Sequence, residues 1–206
     1  LEIRPLTFTG DAAQGSLSPD GKFVAYLRRA SATDSLWVRQ LATQSDVQIV
    51  PAASGRSFGG LGVTPDGNYV DFIANENGTA QPALWRVPLL GGTPRRLIED
   101  VWSGTGWSPD GQHMAFVRTS STSESIVITD ADGGHARILA TRKVPEHFLS
   151  YLFVTLPMAR PSWSSDGRSL LVLGSSEPRN ADIERGDGLC FLMEATQTTR
   201  VTGKLA

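Results

Sequence analysis

The sequence predicts an all-β fold assembled from four copies of one four-stranded antiparallel unit, and three observations carry that prediction. The first is a phrase written four times: Ser18-Pro19-Asp20-Gly21-Lys22-Phe23-Val24-Ala25-Tyr26, Thr64-Pro65-Asp66-Gly67-Asn68-Tyr69-Val70-Asp71-Phe72, Ser108-Pro109-Asp110-Gly111-Gln112-His113-Met114-Ala115-Phe116 and Ser164-Ser165-Asp166-Gly167-Arg168-Ser169-Leu170-Leu171-Val172. The Asp-Gly pairs begin at 20, 66, 110 and 166, so the intervals are 46, 44 and 56 residues. The second is alternation after each pair: Phe23, Ala25 and Leu27 fall on one face of a strand and Val24 and Tyr26 on the other, both faces apolar, as for a strand between two sheets. The third is composition. Forty per cent hydrophobic residues with 21 Gly and 12 Pro fit many strands and turns rather than helices. A mid-forties period of short strands is the pattern of propeller blades, each of which must stack on neighbours to bury its faces.

Each element of the unit has its own justification. The short runs Gly15–Leu17, Leu61–Val63, Gly104–Trp107 and Pro161–Trp163 lead into the turns as first strands. In the turn, Pro presets φ at the first central position, Asp bonds the backbone ahead of it, and Gly accepts the positive φ that ends the loop. The alternating second strand follows. Third strands are read at Ser35–Ala42, Ala83–Leu90, Ser125–Thr129 and Leu189–Met193, and fourth strands at Val47–Val50, Arg95–Ile98, Arg137–Leu139 and Arg200–Thr202. Four strands per repeat make a blade, with blades at about 15–51, 61–99, 104–140 and 160–204. The leading Arg4-Pro5-Leu6-Thr7-Phe8, within 1–9, reads as the last strand of a preceding blade. Four blades is a short count, since propellers close with about four to eight. The expectation is part of a larger propeller; the alternative is a homodimer through open blade edges, because uncovered blade faces and edges do not stay in water.

Bulk properties exclude several function classes. A chain of 206 residues buries an ample core. Its net charge of −2 gives no reason to expect nucleic acid, which needs clustered cations. No membrane-spanning run is present, so direct membrane insertion by this segment is not expected. Cys190 is the single cysteine and sits in an apolar strand run, the position of a small buried hydrophobe.

With these residues in view, the chain resembles the PD40, or WD40-like, propeller repeats of TolB and its relatives. Ser18 to Tyr26 carries the match. It is reinforced by Ile128-Thr129-Asp130-Ala131-Asp132-Gly133-Gly134-His135-Ala136-Arg137-Ile138-Leu139 and by Leu90-Gly91-Gly92-Thr93-Pro94-Arg95-Arg96-Leu97, which look like the family's second hairpin and basic strand. The resemblance covers essentially the whole chain. It departs at Ser165, where Pro usually stands, and at Thr64 in place of Ser. Such propellers occur as periplasmic scaffolds, as sensor-like domains of bacterial regulators and as gating domains of serine oligopeptidases, so an extracytoplasmic location is implied by the resemblance alone. One fold serves all these roles and does not choose among them.

The chemistry-bearing residues reduce to architecture. Asp20, Asp66, Asp110 and Asp166 hold one identical turn slot, so each does the same local hydrogen bonding. Asp130-Ala131-Asp132-Gly133 begins like a calcium loop, but Thr141 stands where the twelfth-position Glu is required. Gly106-Trp107-Ser108 lacks the Gly two residues past the Ser that a nucleophile elbow needs. His113, His135 and His147 have no metal-ligand spacing and could meet only through tertiary convergence. Trp37, Trp85, Trp107 and Trp163 recur in strand slots, as blade packing requires. The expectation is therefore no catalytic residue, no cofactor and no metal.

What departs from the repeat is where function is expected. Residues 141–159 form a long, aromatic-rich insertion before blade four, and 177–187 a charged one between its second and third strands. In an up-and-down blade both leave from the rim opposite the Asp-Gly turns. Phe148, Tyr151 and Phe153 are candidate anchors for a protein or peptide partner or another domain of the same chain, with Arg179, Asp182, Glu184 and Arg185 at the periphery. The competing reading folds 144–158 back as a short helix or extra strand covering the propeller. The leading function is a noncatalytic binding or sensing module; the alternative is the gating propeller of an oligopeptidase.

Overall fold

Every Asp-Gly phrase closes a tight turn between two antiparallel strands. The glycine N–H donates to the carbonyl three residues back, at 2.9 Å for Gly21 to Ser18, 2.8 Å for Gly67 to Thr64, 2.9 Å for Gly111 to Ser108 and 3.0 Å for Gly167 to Ser164. The four glycines have φ of 69°, 72°, 70° and 70°, the left-handed region that favours glycine. Ser165 in place of Pro leaves the fourth turn unchanged in these features.

The computed structural model describes residues 5–7, 9–30, 33–75, 81–148, 160–175 and 189–195. Blade 1 contains β1 (Ala12–Leu17), β2 (Phe23–Ala30), β3 (Thr33–Gln40) and β4 (Ser45–Val50). Blade 2 contains β5 (Ser57–Val63), β6 (Tyr69–Asn75), β7 (Ala83–Pro88) and β8 (Arg95–Glu99). Blade 3 contains β9 (Gly106–Trp107), β10 (His113–Thr119), β11 (Ser123–Asp130) and β12 (Arg137–Lys143). Each is an antiparallel sheet in sequence order, and there is no helix among the described residues.

Blade 4 is built differently. Its first strand is split into β13 (His147–Phe148) and β14 (Ser162–Trp163), both paired with β15 (Ser169–Ser175), while β16 (Leu189–Glu194) pairs with the other edge of β15. The blade thus begins at His147 rather than near Arg160, and the insertion interrupts its first strand instead of preceding it. Blades 1 and 2 also begin earlier than expected, at Ala12 and Ser57. Register shifts between Ala12 and Gln14 and between Gly59 and Gly62 break the period-two pattern that would have marked these starts. The expected fourth strand at Arg200–Thr202 lies outside the described residues. Of the leading segment, residues 5–7 are described and hold no strand; the Arg39 guanidinium donates to the Leu6 carbonyl.

Stacking follows one rule. Counting from each turn aspartate, the residues five and seven positions on face the next blade, and those four and six positions on face the previous one. Ala25 and Leu27 of blade 1 pack in one cluster with Val70 and Phe72 of blade 2. Ile73 meets Met114 and Phe116 in the second cluster, and Ala115 and Val117 meet Leu170 and Val172 in the third. Ala25, Leu27, Ala115 and Val117 are 0% exposed, whereas Leu171 and Leu173, their counterparts in blade 4, are 39% and 40% exposed. The described residues form an all-β stack of four sheets.

Candidate functional site

At the turn end of the blades, each repeat aspartate is tied by the residue two before it and the backbone two after it. Ser18 Oγ donates to Asp20 Oδ1 at 2.7 Å and the Lys22 N–H at 3.1 Å. Ser108 and Gln112 do the same for Asp110 at 2.6 and 3.0 Å, and Ser164 and Arg168 for Asp166 at 2.6 and 3.0 Å. These bonds hold the Asp20, Asp110 and Asp166 carboxyls below the ordinary value, the serine hydroxyl first among the causes. For Asp66, burial pushes upward, and the bonds from Thr64 and Asn68 outweigh it. The turn aspartates are architectural, as their repeated slot implies.

Between adjacent turns lie clefts. One of about 430 Å³ separates blades 2 and 3, lined among others by Asp66, Tyr69, Arg86, Trp107 and Asp110. Another of about 360 Å³ separates blades 3 and 4, where Asp110, Asp166, His113, Arg137 and Trp163 meet. In both, an arginine spans the gap: Arg86 Nη1 donates to the Ala131 carbonyl at 2.8 Å and Arg137 Nη2 to the Ala195 carbonyl at 2.7 Å.

Arg86 also forms a buried bidentate pair with Asp71, at 2.7 and 2.9 Å. Asp71 is 0% exposed and Arg86 6%. Burial pushes the Asp71 carboxyl up, and the Arg86 bonds and charge oppose that. Sequence reasoning passed over this pair. Its signal was a charged residue in the slot that Ala25, Ala115 and Leu171 fill in the other repeats.

At the opposite end, blades are joined by carboxylates. Asp34 accepts the Phe58 N–H at 2.8 Å across blades 1 and 2, and Glu124 accepts the Phe148 N–H at 2.7 Å across blades 3 and 4. Between blades 2 and 3 the Pro82 carbonyl takes that role, accepting from Val101 at 2.9 Å. Phe148 is 0% exposed and packs in the cluster between blades 3 and 4. It is an internal residue here and not a surface anchor. Tyr151, Phe153, Arg179, Asp182, Glu184 and Arg185 lie outside the described residues. The roots of the two insertions do adjoin, because His147 pairs with Ser175.

Two histidines converge on one carboxylate. His135 Nδ1 lies 2.5 Å from Asp130 Oδ2, and His113 Nε2 lies 3.8 Å from Asp130 Oδ1. The Asp130 bond raises the His135 pKa. Among the described residues no group of three or more His, Cys, Asp or Glu side chains is arranged to hold a metal ion. The tryptophans fall into two slots: Trp37 and Trp85 on third strands opposite Tyr26 and Phe72, and Trp107 and Trp163 on first strands. Trp163 Nε1 donates to the Gly106 carbonyl of the neighbouring blade at 3.0 Å. Among the described residues no helix is long and apolar enough to cross a membrane.

No protein-family model and no curated protein matches the chain. Among solved structures, TolB from Acinetobacter baumannii is 17% identical, with a TM-score of 0.65 over 95% of this chain and 44% of its own. A putative TolB from Agrobacterium tumefaciens is 22% identical, with a TM-score of 0.63 over 98% of this chain and 65% of its own. A prolyl endopeptidase is 15% identical, with a TM-score of 0.64 over 95% of this chain and 30% of its own. The chain therefore spans less than two thirds of the length of each of these proteins. Their likeness, together with four sheets stacked by one positional rule, identifies the fold as a TolB-like β-propeller.

Proposed function

We infer that this chain is a noncatalytic binding or sensing module, a run of propeller blades whose end loops are read by a protein or peptide partner or by another domain of the same polypeptide. The observation that carries this reading is the interruption of blade 4. A closely repeated scaffold is broken inside the first strand of blade 4, and the root of that insertion adjoins the root of the 176–188 segment through the His147–Ser175 pairing. Variable loops on a rigid frame are where recognition concentrates. Tyr151 and Phe153 are the proposed anchors, with Arg179, Asp182, Glu184 and Arg185 around them, while buried Phe148 fixes the base of the insertion. An extracytoplasmic, bacterial setting goes with this reading.

A second reading, the gating propeller of a serine oligopeptidase, draws on the likeness to the prolyl endopeptidase. In both readings the isolated chain is inert toward peptides. The test is a Tyr151→Ser/Phe153→Ser variant of the full-length protein, tagged and isolated from its native cells. The expected result is an unchanged melting temperature with loss of the partner that accompanies the wild type. Unfolding of the variant, or an undiminished partner, overturns the assignment of these residues; hydrolysis of fluorogenic peptides by the isolated chain overturns the noncatalytic reading.

A further inference from the structure

We propose that the buried Asp71–Arg86 pair is a register key: it fixes the single position in which blade 3 docks on blade 2, while adding little net stability. This goes beyond the reading of the chain as a binding module and does not depend on it.

Stacked sheets held by apolar side chains alone have no directional contact to set how far one slides on the other. Arg86 supplies that direction. Asp71 anchors it within blade 2, accepting from Nε at 2.7 Å and from Nη2 at 2.9 Å. The rest of its surroundings come largely from blade 3. Nη1 donates to the Ala131 carbonyl, just past β11, at 2.8 Å. Nη2 lies 3.7 Å from Met114 Sδ on β10, and the guanidinium carbon lies 5.3 Å from the ring centroid of Trp107 on β9. The Tyr69 ring of blade 2 stands at 5.7 Å. One side chain therefore touches three parts of the neighbouring blade. A two-residue slide of blade 3 would still turn apolar side chains toward blade 2. It would carry the Ala131 carbonyl roughly 7 Å away, leaving a buried guanidinium without that acceptor.

The other junctions show that burial alone does not call for the pair. Blade 1 places Ala25 opposite Val38 in these slots and blade 3 places Ala115 opposite Ile128, all four buried. Those two junctions have a different directional contact. Asp34 and Glu124 each accept a backbone N–H of the next blade at the end away from the turns. Between blades 2 and 3 no side-chain carboxylate does this, and the ion pair stands at the turn end instead. A buried ion pair adds little over apolar packing of similar volume, and its best-attested use is to fix register.

The experiment separates stability from uniqueness in the full-length protein. Melting temperature reports the first, and the indole N–H signals of the labelled protein, assigned by single Trp→Phe substitutions, report the second. The wild type is expected to show one Trp107 signal. Asp71→Ala/Arg86→Val is expected to melt close to the wild type but to split or broaden the Trp107 signal, while Trp37 in blade 1 keeps one. Arg86→Lys retains a charge opposite Asp71 without the planar fork and is expected to split Trp107 as well. Asp34→Ala, which removes the carboxylate between blades 1 and 2, is expected to lower the melting temperature and leave Trp107 single. A single sharp Trp107 signal in the double variant or in Arg86→Lys overturns the proposal. So does a large fall in the melting temperature of the double variant, or its failure to fold, because stability is then what the pair supplies. Splitting of Trp107 in Asp34→Ala overturns it too, since loss of uniqueness would then follow any weakening of the stack.

Discussion

Glu124 of blade 3 accepts the backbone N–H of Phe148 in blade 4 at 2.7 Å, in the position where Asp34 of blade 1 accepts that of Phe58 in blade 2 at 2.8 Å. Two blade junctions are thus closed by a carboxylate at the start of a third strand and an aromatic residue in the next blade's first strand. Truncating the acid leaves a buried N–H without this acceptor, which costs about 1–3 kcal/mol. Glu124→Ala and Asp34→Ala are each expected to lower stability by that amount in urea unfolding. Glu124→Gln and Asp34→Asn, which keep an acceptor oxygen, are expected to recover most of it.

The Asp71–Arg86 pair gives a contrast between single and double substitution. Asp71→Ala strands a buried guanidinium, and Arg86→Val a buried carboxylate, each at a cost of about 3–5 kcal/mol. The double variant Asp71→Ala/Arg86→Val reproduces the Ala25–Val38 pair of blade 1. It is expected to lie within about 2 kcal/mol of the wild type, the remaining loss reflecting the Arg86–Ala131 bond. A denaturation cycle over the four proteins measures the coupling.

Acid is expected to weaken the turns in a defined direction. Asp20, Asp66, Asp110 and Asp166 all sit below their ordinary value in the folded chain. A depressed folded pKa contributes stability that is present above the unfolded value and lost as pH falls through the folded one. The contribution of these groups is therefore constant through neutral pH and declines only below about pH 4. Unfolding curves collected from pH 7 downward check this, and Asn at all four positions is expected to flatten the acid limb.

Gly106 shows how closely the innermost strands approach. A Cβ there would overlap the Pro161 carbonyl oxygen, beside the Trp163–Gly106 hydrogen bond. Gly106→Ala must push the first strands of blades 3 and 4 apart. The expected outcome is a loss of about 1–3 kcal/mol with a red-shifted Trp163 emission, measured by thermal unfolding and fluorescence.

The fold was legible because its information is local and repeated. Pro, Asp and Gly fix each turn, and alternation after it fixes which residues face which neighbour. The bulged starts at Ala12 and Ser57 were not legible, since a bulge erases the period that marks a strand. Nor was the split first strand of blade 4: His147-Phe148 pairs with β15 across an insertion, a relation that no local pattern carries. Phe148 stands in an aromatic-rich loop in sequence, yet it occupies the slot of Phe58, which becomes visible only once Glu124 and β15 are in place. The clefts between turns were hidden for the opposite reason: Asp66 and Asp110 are recognisable as turn residues, but that they line one cleft depends on how adjacent blades stack.

The most direct test of the stacking rule is thiol reactivity at equivalent positions. In a Cys190→Ala background, Ala25→Cys, Ala115→Cys and Leu171→Cys place one thiol five residues past the turn aspartate in blades 1, 3 and 4. The account predicts that the thiols at 25 and 115 react with an aromatic disulfide reagent only on unfolding, because the next blade covers them, whereas in the 206-residue chain by itself the thiol at 171 reacts rapidly. Rapid reaction of the folded chain at 25 or 115 would contradict the stacking rule.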